Sequence, residues 1–177
     1  MGLNTLSDSW RTRGRTGGLT LLASLSTMTA MSQTPPASNL PLPYGPPITL
    51  AMAKTIMVAA EREANANNWP MAIAIVDSTG HLVLFQRTDH TQLASMEVSV
   101  GKATTAVRFK RPTKAFEDAI GAGGAGARVI TLPGVVALEG GVPIVHGGQV
   151  IGAIGVSGML SAQDAQVAFA GLAAIAD

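Results

Sequence analysis

Five cationic side chains, Lys102, Arg108, Lys110, Arg111 and Lys114, fall within 13 residues. They flank the end of one helical pattern and the start of the next. A helix opening at Thr113 offers free backbone N–H groups and the positive end of its dipole. Side-chain cations added to that end suit a carboxylate-bearing guest. Glu117 and Asp118 follow at once and partly offset the charge, so a plain solvated face is the competing explanation.

The rest of the reactive inventory is thin. There is no cysteine, which excludes disulfides, thiolate metal sites and cysteine nucleophiles. The histidines are His81, His90 and His146, the best nitrogen ligands for a metal or a haem iron, and no two of them show zinc-ligand spacing. Gly121–Gly126 (GAGGAG) matches GxGxxG by letter, but a helical pattern precedes it and an apolar run follows, the reverse of a dinucleotide-binding context. Residues 155–159 (GVSGM) approach a nucleophile elbow and fail at Met159. Glu139, before two glycines, is a candidate general base if burial raises its pKa; bracing a turn is the simpler role. A scaffold that binds something is expected, rather than a catalyst.

The elements that must position these groups follow from periodicity. Thr49 caps a helix running to Asn68, with Leu50, Ala53, Met57, Ala60 and Ala64 at helical spacing. Met71 to Asp77 and His81 to Arg87 form a hairpin about Ser78-Thr79-Gly80. Leu93 to Phe109 reads as a helix with Met96, Val100, Ala103 and Val107 on one face, and Pro112 breaks it. A short helix runs from Thr113 to about Ile120. Three apolar runs, Val135 to Leu138, Val142 to His146 and Val150 to Ser157, are separated by glycine turns and read as an antiparallel meander. Ser161 with Asp164 resembles a capping box opening a last helix, Ala162 to Ala176. The fold class is α/β of the α+β kind: a five-stranded antiparallel sheet flanked by helices.

A length of 177 residues suits a single domain. Hydrophobic residues make up 47% and charged ones only 13%, which leaves apolar surface uncovered and favours a homo-oligomer. A net charge of +1 gives no electrostatic case for nucleic acid. Residues 1–32 have Arg11, Arg13 and Arg15, an apolar run Leu19 to Met31 and a small-residue exit, which read as a signal peptide. That run is too short and too rich in Ser and Thr to span a membrane in the mature protein. Residues 33–47 are a Pro-rich, extended lead-in expected to be poorly ordered, and 48–177 the folded domain. A periplasmic or secreted protein is expected, with the cytoplasm as the alternative.

Four segments together resemble the GlcG/HbpS family of small haem-binding-type domains, related to the C-terminal domain of PduO-type cobalamin adenosyltransferases. They are AIAIVDSTGHLVLFQR (72–87), GKATTAVRFKRPTKAFEDAI (101–120), LPGVVALEGGVPIVHGGQVIGAIGVSG (132–158) and SAQD (161–164). The resemblance implies a profilin-like or PAS-like domain with a five-stranded antiparallel sheet, homo-oligomers, and haem as cofactor. It also implies Thr113, in Arg111-Pro112-Thr113, as an iron contact; His146 and His81 stay further iron-ligand candidates as available nitrogen donors. Arg111, Lys114 and Lys102 would then lie near the propionates. The paired ExxE iron motif of one sensor member has no clear counterpart. The leading expectation is a non-catalytic haem or small-ligand binding protein, exported and homo-oligomeric. A second is an enzyme or accessory protein acting on small carboxylated metabolites through Glu139 and the cationic cluster. A third is an assembly module for a partner protein.

Overall fold

Thr49 is extended (φ −75°, ψ 151°), and its Oγ1 accepts from the Met52 N–H at 3.2 Å, satisfying one of the first-turn donors of helix α1 (Leu50–Ala66). The computed structural model describes residues 41–175. Residues 1–32, read from sequence as a signal peptide, the first part of the lead-in, 33–40, and residues 176–177 lie outside the described residues.

Two hairpins build one sheet. Strands β1 (Ala72–Asp77) and β2 (Leu82–Arg87) form the first, and β3 (Gly141–His146) and β4 (Gln149–Ser157) the second. The strand order is β2-β1-β4-β3, antiparallel at every pairing. Between the hairpins run α2 (Ala94–Phe109), α3 (Lys114–Gly121) and a 3-10 segment, Gly124–Thr131; α4 (Ser161–Ala173) closes the domain.

The sheet has four strands, not five. Residues 135–138 are apolar enough for a strand, but their backbone finds other partners. The Val136 N–H donates to Thr105 Oγ1 on α2 at 2.9 Å, and the Glu139 N–H donates to the Glu117 carboxylate on α3. A segment whose donors are satisfied by helix side chains has no call for a ladder. The last helix also starts differently: Leu160, not Ser161, precedes it, and Gln163 Oε1 accepts from the Leu160 N–H at 3.1 Å. Asp164 is engaged elsewhere.

Both sheet faces are covered. Ile73, Ile75, Ile154 and Val156 face α1 and α4, meeting Ile56, Met57, Ala60 and Val167. The opposite face is lined by small residues, Ala74 and Ala153, against Ala103, Ala106 and Val107 of α2. The small residues let α2 lie almost on the sheet. A Cβ on Gly155 would fall 2.0 Å from the Ser99 carbonyl oxygen and 2.5 Å from the Ala103 nitrogen, so only glycine fits there.

That close approach re-aims α2. Ser95, Ser99, Lys102, Ala103, Ala106 and Val107 are buried, while Met96 and Val100, read from sequence as core, are half-buried on the flank. A bulge between Ile75 and Val76 pairs Ile75 with Leu84 but Val76 with Leu82, skipping Val83. Leu82 therefore shares the α2 side with Phe85, breaking simple alternation.

The end of the lead-in is pinned rather than loose. The Val150 N–H donates to the Pro43 carbonyl and the Gly45 N–H to the Val150 carbonyl, both at 2.9 Å, where β4 runs past the end of β1. The Tyr44 hydroxyl donates to the Val107 carbonyl at 2.9 Å, and Lys110 Nζ lies 4.2 Å from the centre of its ring.

Candidate functional site

The structure disperses the α2–α3 cations. Lys102 is 1% exposed. Its ammonium donates to Asp164 Oδ2 at 2.6 Å and to the Val156 carbonyl at 2.9 Å. Lys102 thus points into the core and does not join Arg111 and Lys114 at the surface. Sequence placed it by charge alone; its helical position on the sheet-facing side of α2 turns it inward. Burial raises the Asp164 carboxyl above its ordinary value, while the Lys102 ammonium and the N–H groups of Met159 and Gly158 pull the other way.

Thr113 is fully buried. Its Oγ1 accepts from the Gly141 N–H at 2.9 Å, and its own N–H donates to the Gly141 carbonyl at 2.9 Å. The residue clamps the start of α3 to the start of β3, and its hydroxyl does not reach the surface as an iron contact would require. Lys110 closes α2 in the left-handed conformation (φ 53°), donating to the Leu42 carbonyl at 2.8 Å. The Arg111 guanidinium lies 5.7 Å from the centre of the Phe116 ring. Lys114 is half-exposed and pairs with Asp118 one turn on, which raises its pKa, and Glu139 and Glu117 add to that effect. Glu139 is half-buried beside these groups, its N–H held by Glu117, which is the arrangement of a turn brace.

The histidines belong to three different element ends. His146 ends β3 and His90 sits in the β2–α2 loop with φ 67°, both exposed. His90 lines an open polar cleft of about 670 Å3 with Trp69, Arg87 and Asp89. His81 is also exposed, at the mouth of β2, but it is held. Asp77 Oδ1 accepts from the Thr79 N–H at 2.8 Å, the Thr79 hydroxyl at 2.6 Å and the His81 N–H at 3.1 Å. Thr79 Oγ1 is in turn 2.7 Å from His81 Nδ1. Partial burial pushes the Asp77 carboxyl up, but the bonds from Thr79 and His81 outweigh it and leave the group below its usual value.

One feature was missed from sequence: an open apolar groove of about 520 Å3 between β2 and α2, lined by Leu82, Phe85, Met96, Glu97, Val100 and Gly101. It exists because the bulge turns Leu82 to this side and the close seating of α2 leaves Met96 and Val100 half out. The sequence signal was present as large apolar residues beside Ser95, Ser99 and Ala103, but it was read as a core face. Two guanidinium groups lie near the groove, outside its lining, while Glu97 adds a carboxylate to the lining itself. Arg87 Nη1 lies 3.7 Å from Met96 Sδ. Where the β1–β2 turn meets α2, a Cβ on Gly80 would stand 3.8 Å from Arg108 Nε. An apolar floor with cations close by suits a flat, hydrophobic molecule that carries carboxylates.

Known proteins share this architecture. The family described as haem degrading protein HbpS-like matches residues 48–173. Protein GlcG of Escherichia coli K12 is 44% identical over 106 residues, which is 60% of this chain and 78% of GlcG. The crystal structure of HbpS superposes with a TM-score of 0.69 at 28% identity, covering 77% of this chain and 95% of that one. The crystal structure of a PduOC:heme complex does so with a TM-score of 0.66 at 30% identity, covering 73% and 95%. Matched over most of its described length, in the order of motifs that first suggested the resemblance, the chain belongs to the HbpS-like family.

Proposed function

We propose that this protein binds haem in the β2–α2 groove, is exported, and works as a homo-oligomer without catalysing a reaction. The observation that carries haem is the match to a domain solved with haem, which this chain covers over 95% of that domain's length. The groove supports it physically. Leu82, Phe85, Met96 and Val100 supply apolar contact, and Arg87 and Arg108 are the cations placed to meet propionates. Burying one face of a macrocycle on such a surface is favourable by about 25 cal/mol for each Å2 removed from water. Bound haem would supply an iron centre able to change oxidation state; the chain supplies the apolar wall and the nearby cations.

Oligomer formation is supported by large apolar side chains left in water, among them Leu93, Ile130 and Leu160. Export rests on the basic, apolar and small-residue order of residues 1–32. Hemin titration followed by absorbance tests the central claim: a saturable Soret shift is expected, weakened in Val100→Glu and in Arg87→Ala. No shift at stoichiometric hemin would overturn it. Light scattering on the eluting protein tests the oligomer, and the mass of the protein recovered from its native host tests removal of the leader.

The family's description favours a second reading, in which the bound haem is broken down. Progressive loss of the Soret band when a reductant and oxygen are added to the loaded protein would select it over simple binding.

A further inference from the structure

We propose that the cleft between the end of α1 and the end of β2 is a second binding site, for a neutral saccharide, independent of the haem reading above. Its walls come from three places in the fold. Glu61 and Asn65 stand one turn apart on α1, Asn68 and Trp69 follow in the link to β1, and Gln86, Asp89 and His90 close the cleft from β2 and the loop beyond it. Its volume of about 670 Å3 falls within the about 300–1,000 Å3 of small-molecule sites. Gln86 pairs across the strands with Ile73, on the α1 side, whereas Phe85 of the apolar groove pairs with Ala74, on the α2 side. Cleft and groove therefore use opposite faces of the sheet.

The walls are held from beneath. Asn68 takes the left-handed conformation (φ 55°) that ends α1, and the Trp69 N–H donates to the Ala64 carbonyl at 2.9 Å while its side chain packs on the main core. Across the cleft, Thr88 Oγ1 accepts from the Met71 N–H at 2.8 Å, and the Thr88 N–H donates to the Met71 carbonyl at 2.9 Å. The Thr91 hydroxyl donates to the Thr88 carbonyl at 2.8 Å, so Asp89 and His90 ride on a clamped turn. Groups already in place lose little freedom when a ligand arrives.

The lining says what fits. The ion pairs among the described residues are Lys102–Asp164 and Lys114–Asp118, so Glu61 and Asp89 keep charges that repel phosphates and carboxylates. Arg87 also lines the cleft, but its Nη1 reaches toward Met96 Sδ, at 3.7 Å, on the α2 side. Among the described residues no cluster of three or more His, Cys, Asp or Glu could hold an ion, so the donor set does not suit a metal. Asn65, Asn68 and Gln86 each bring both donors and an acceptor, and Trp69 brings an apolar plate with one N–H. A sugar ring is uncharged, has hydroxyls that both give and take hydrogen bonds, and offers a C–H face to an indole. Its outward hydroxyls stay in water in an open cleft, so they carry no desolvation cost. A flat nucleobase needs its polar partners in one plane, whereas these come from helix, strand and loop.

Trp10 and Trp69 are the two tryptophans, so in the full chain carrying Trp10→Phe the emission reports the cleft alone. That protein is titrated with glucose, cellobiose and maltotriose, and with glucuronate and adenosine as the anionic and flat competitors. At least one neutral sugar should shift the emission saturably and protect it from acrylamide, with both competitors binding more weakly. Asn65→Ala and Gln86→Ala, neither of them a core residue, should each weaken that sugar by about threefold to tenfold through lost hydrogen bonds. Glu97→Gln, in the groove, should leave the affinity unchanged. No saturable response to any of the three sugars overturns the assignment. So does binding of glucuronate or adenosine as tight as the best sugar, or an affinity that neither Asn65→Ala nor Gln86→Ala alters.

Discussion

Replacing Lys102 by Met should destabilise the domain by about 3–5 kcal/mol, because it leaves a buried carboxylate without its counter-charge. Lys102 and Asp164 are 1% and 2% exposed. The ammonium makes two bonds, at 2.6 Å to Asp164 and 2.9 Å to the Val156 carbonyl. Each bond involving a charged group contributes about 1.5–3 kcal/mol, so two give about 3–6 kcal/mol, which spans the cost of breaking buried pairs. After the substitution Asp164 Oδ1 keeps the Met159 N–H at 3.1 Å, too little to hold a charge in the core. Urea unfolding of both proteins measures the difference.

Two further arms separate pairing from simple volume loss. The double variant Lys102→Met/Asp164→Leu removes both charges and should recover most of the loss, to within about 2 kcal/mol of wild type. Acid should also rescue the single variant. The Asp164 carboxyl already lies above its ordinary 3.8, with burial the first cause, and losing Lys102 removes a group that pulls it down. A carboxyl whose folded value exceeds its unfolded one contributes stability fully below the unfolded value and loses it as pH rises through the folded one. The deficit of Lys102→Met should therefore be smaller at about pH 4 than at about pH 7. A loss under about 1 kcal/mol, or a double variant no better than the single, would refute the account.

Gly155→Ala should cost about 3 kcal/mol or more, read as a lower melting temperature, since its Cβ would collide with α2 backbone rather than with a movable side chain. Asp77→Asn should flatten the acid limb of stability. The Asp77 carboxyl sits below 3.8, so its contribution is present above that value and lost as pH falls through the lower folded one. Wild type should be the more stable at neutral pH, with the gap closing below about pH 3.8 in melting curves.

Much of the fold was legible in the chain. Thr49, Pro112 and the glycine pairs mark element ends through local chemistry, and periodicity sorts helix from strand, so both hairpins and the four α-helices of the described residues stood in the right order. The fifth strand failed because an apolar run has no way to announce that Thr105 and Glu117 will take its N–H groups. The cationic cluster failed for a similar reason. Five neighbouring charges look alike in sequence, yet one of them ends beneath Gly140 against Asp164, 62 residues away, and another on the ring of Tyr44.

The sequence by itself determined the family, the α+β class, and the short list of histidines from which any nitrogen ligand must come, because these depend on residue type and local spacing. Only the tertiary structure decided which side chains are free to act. The depth at which α2 seats on Gly155, the bulge that turns Leu82 outward and the clamp between Thr88 and Met71 all depend on contacts between segments. Burial and hydrogen-bond partnership are properties of the packed molecule, and no local reading of the chain contains them.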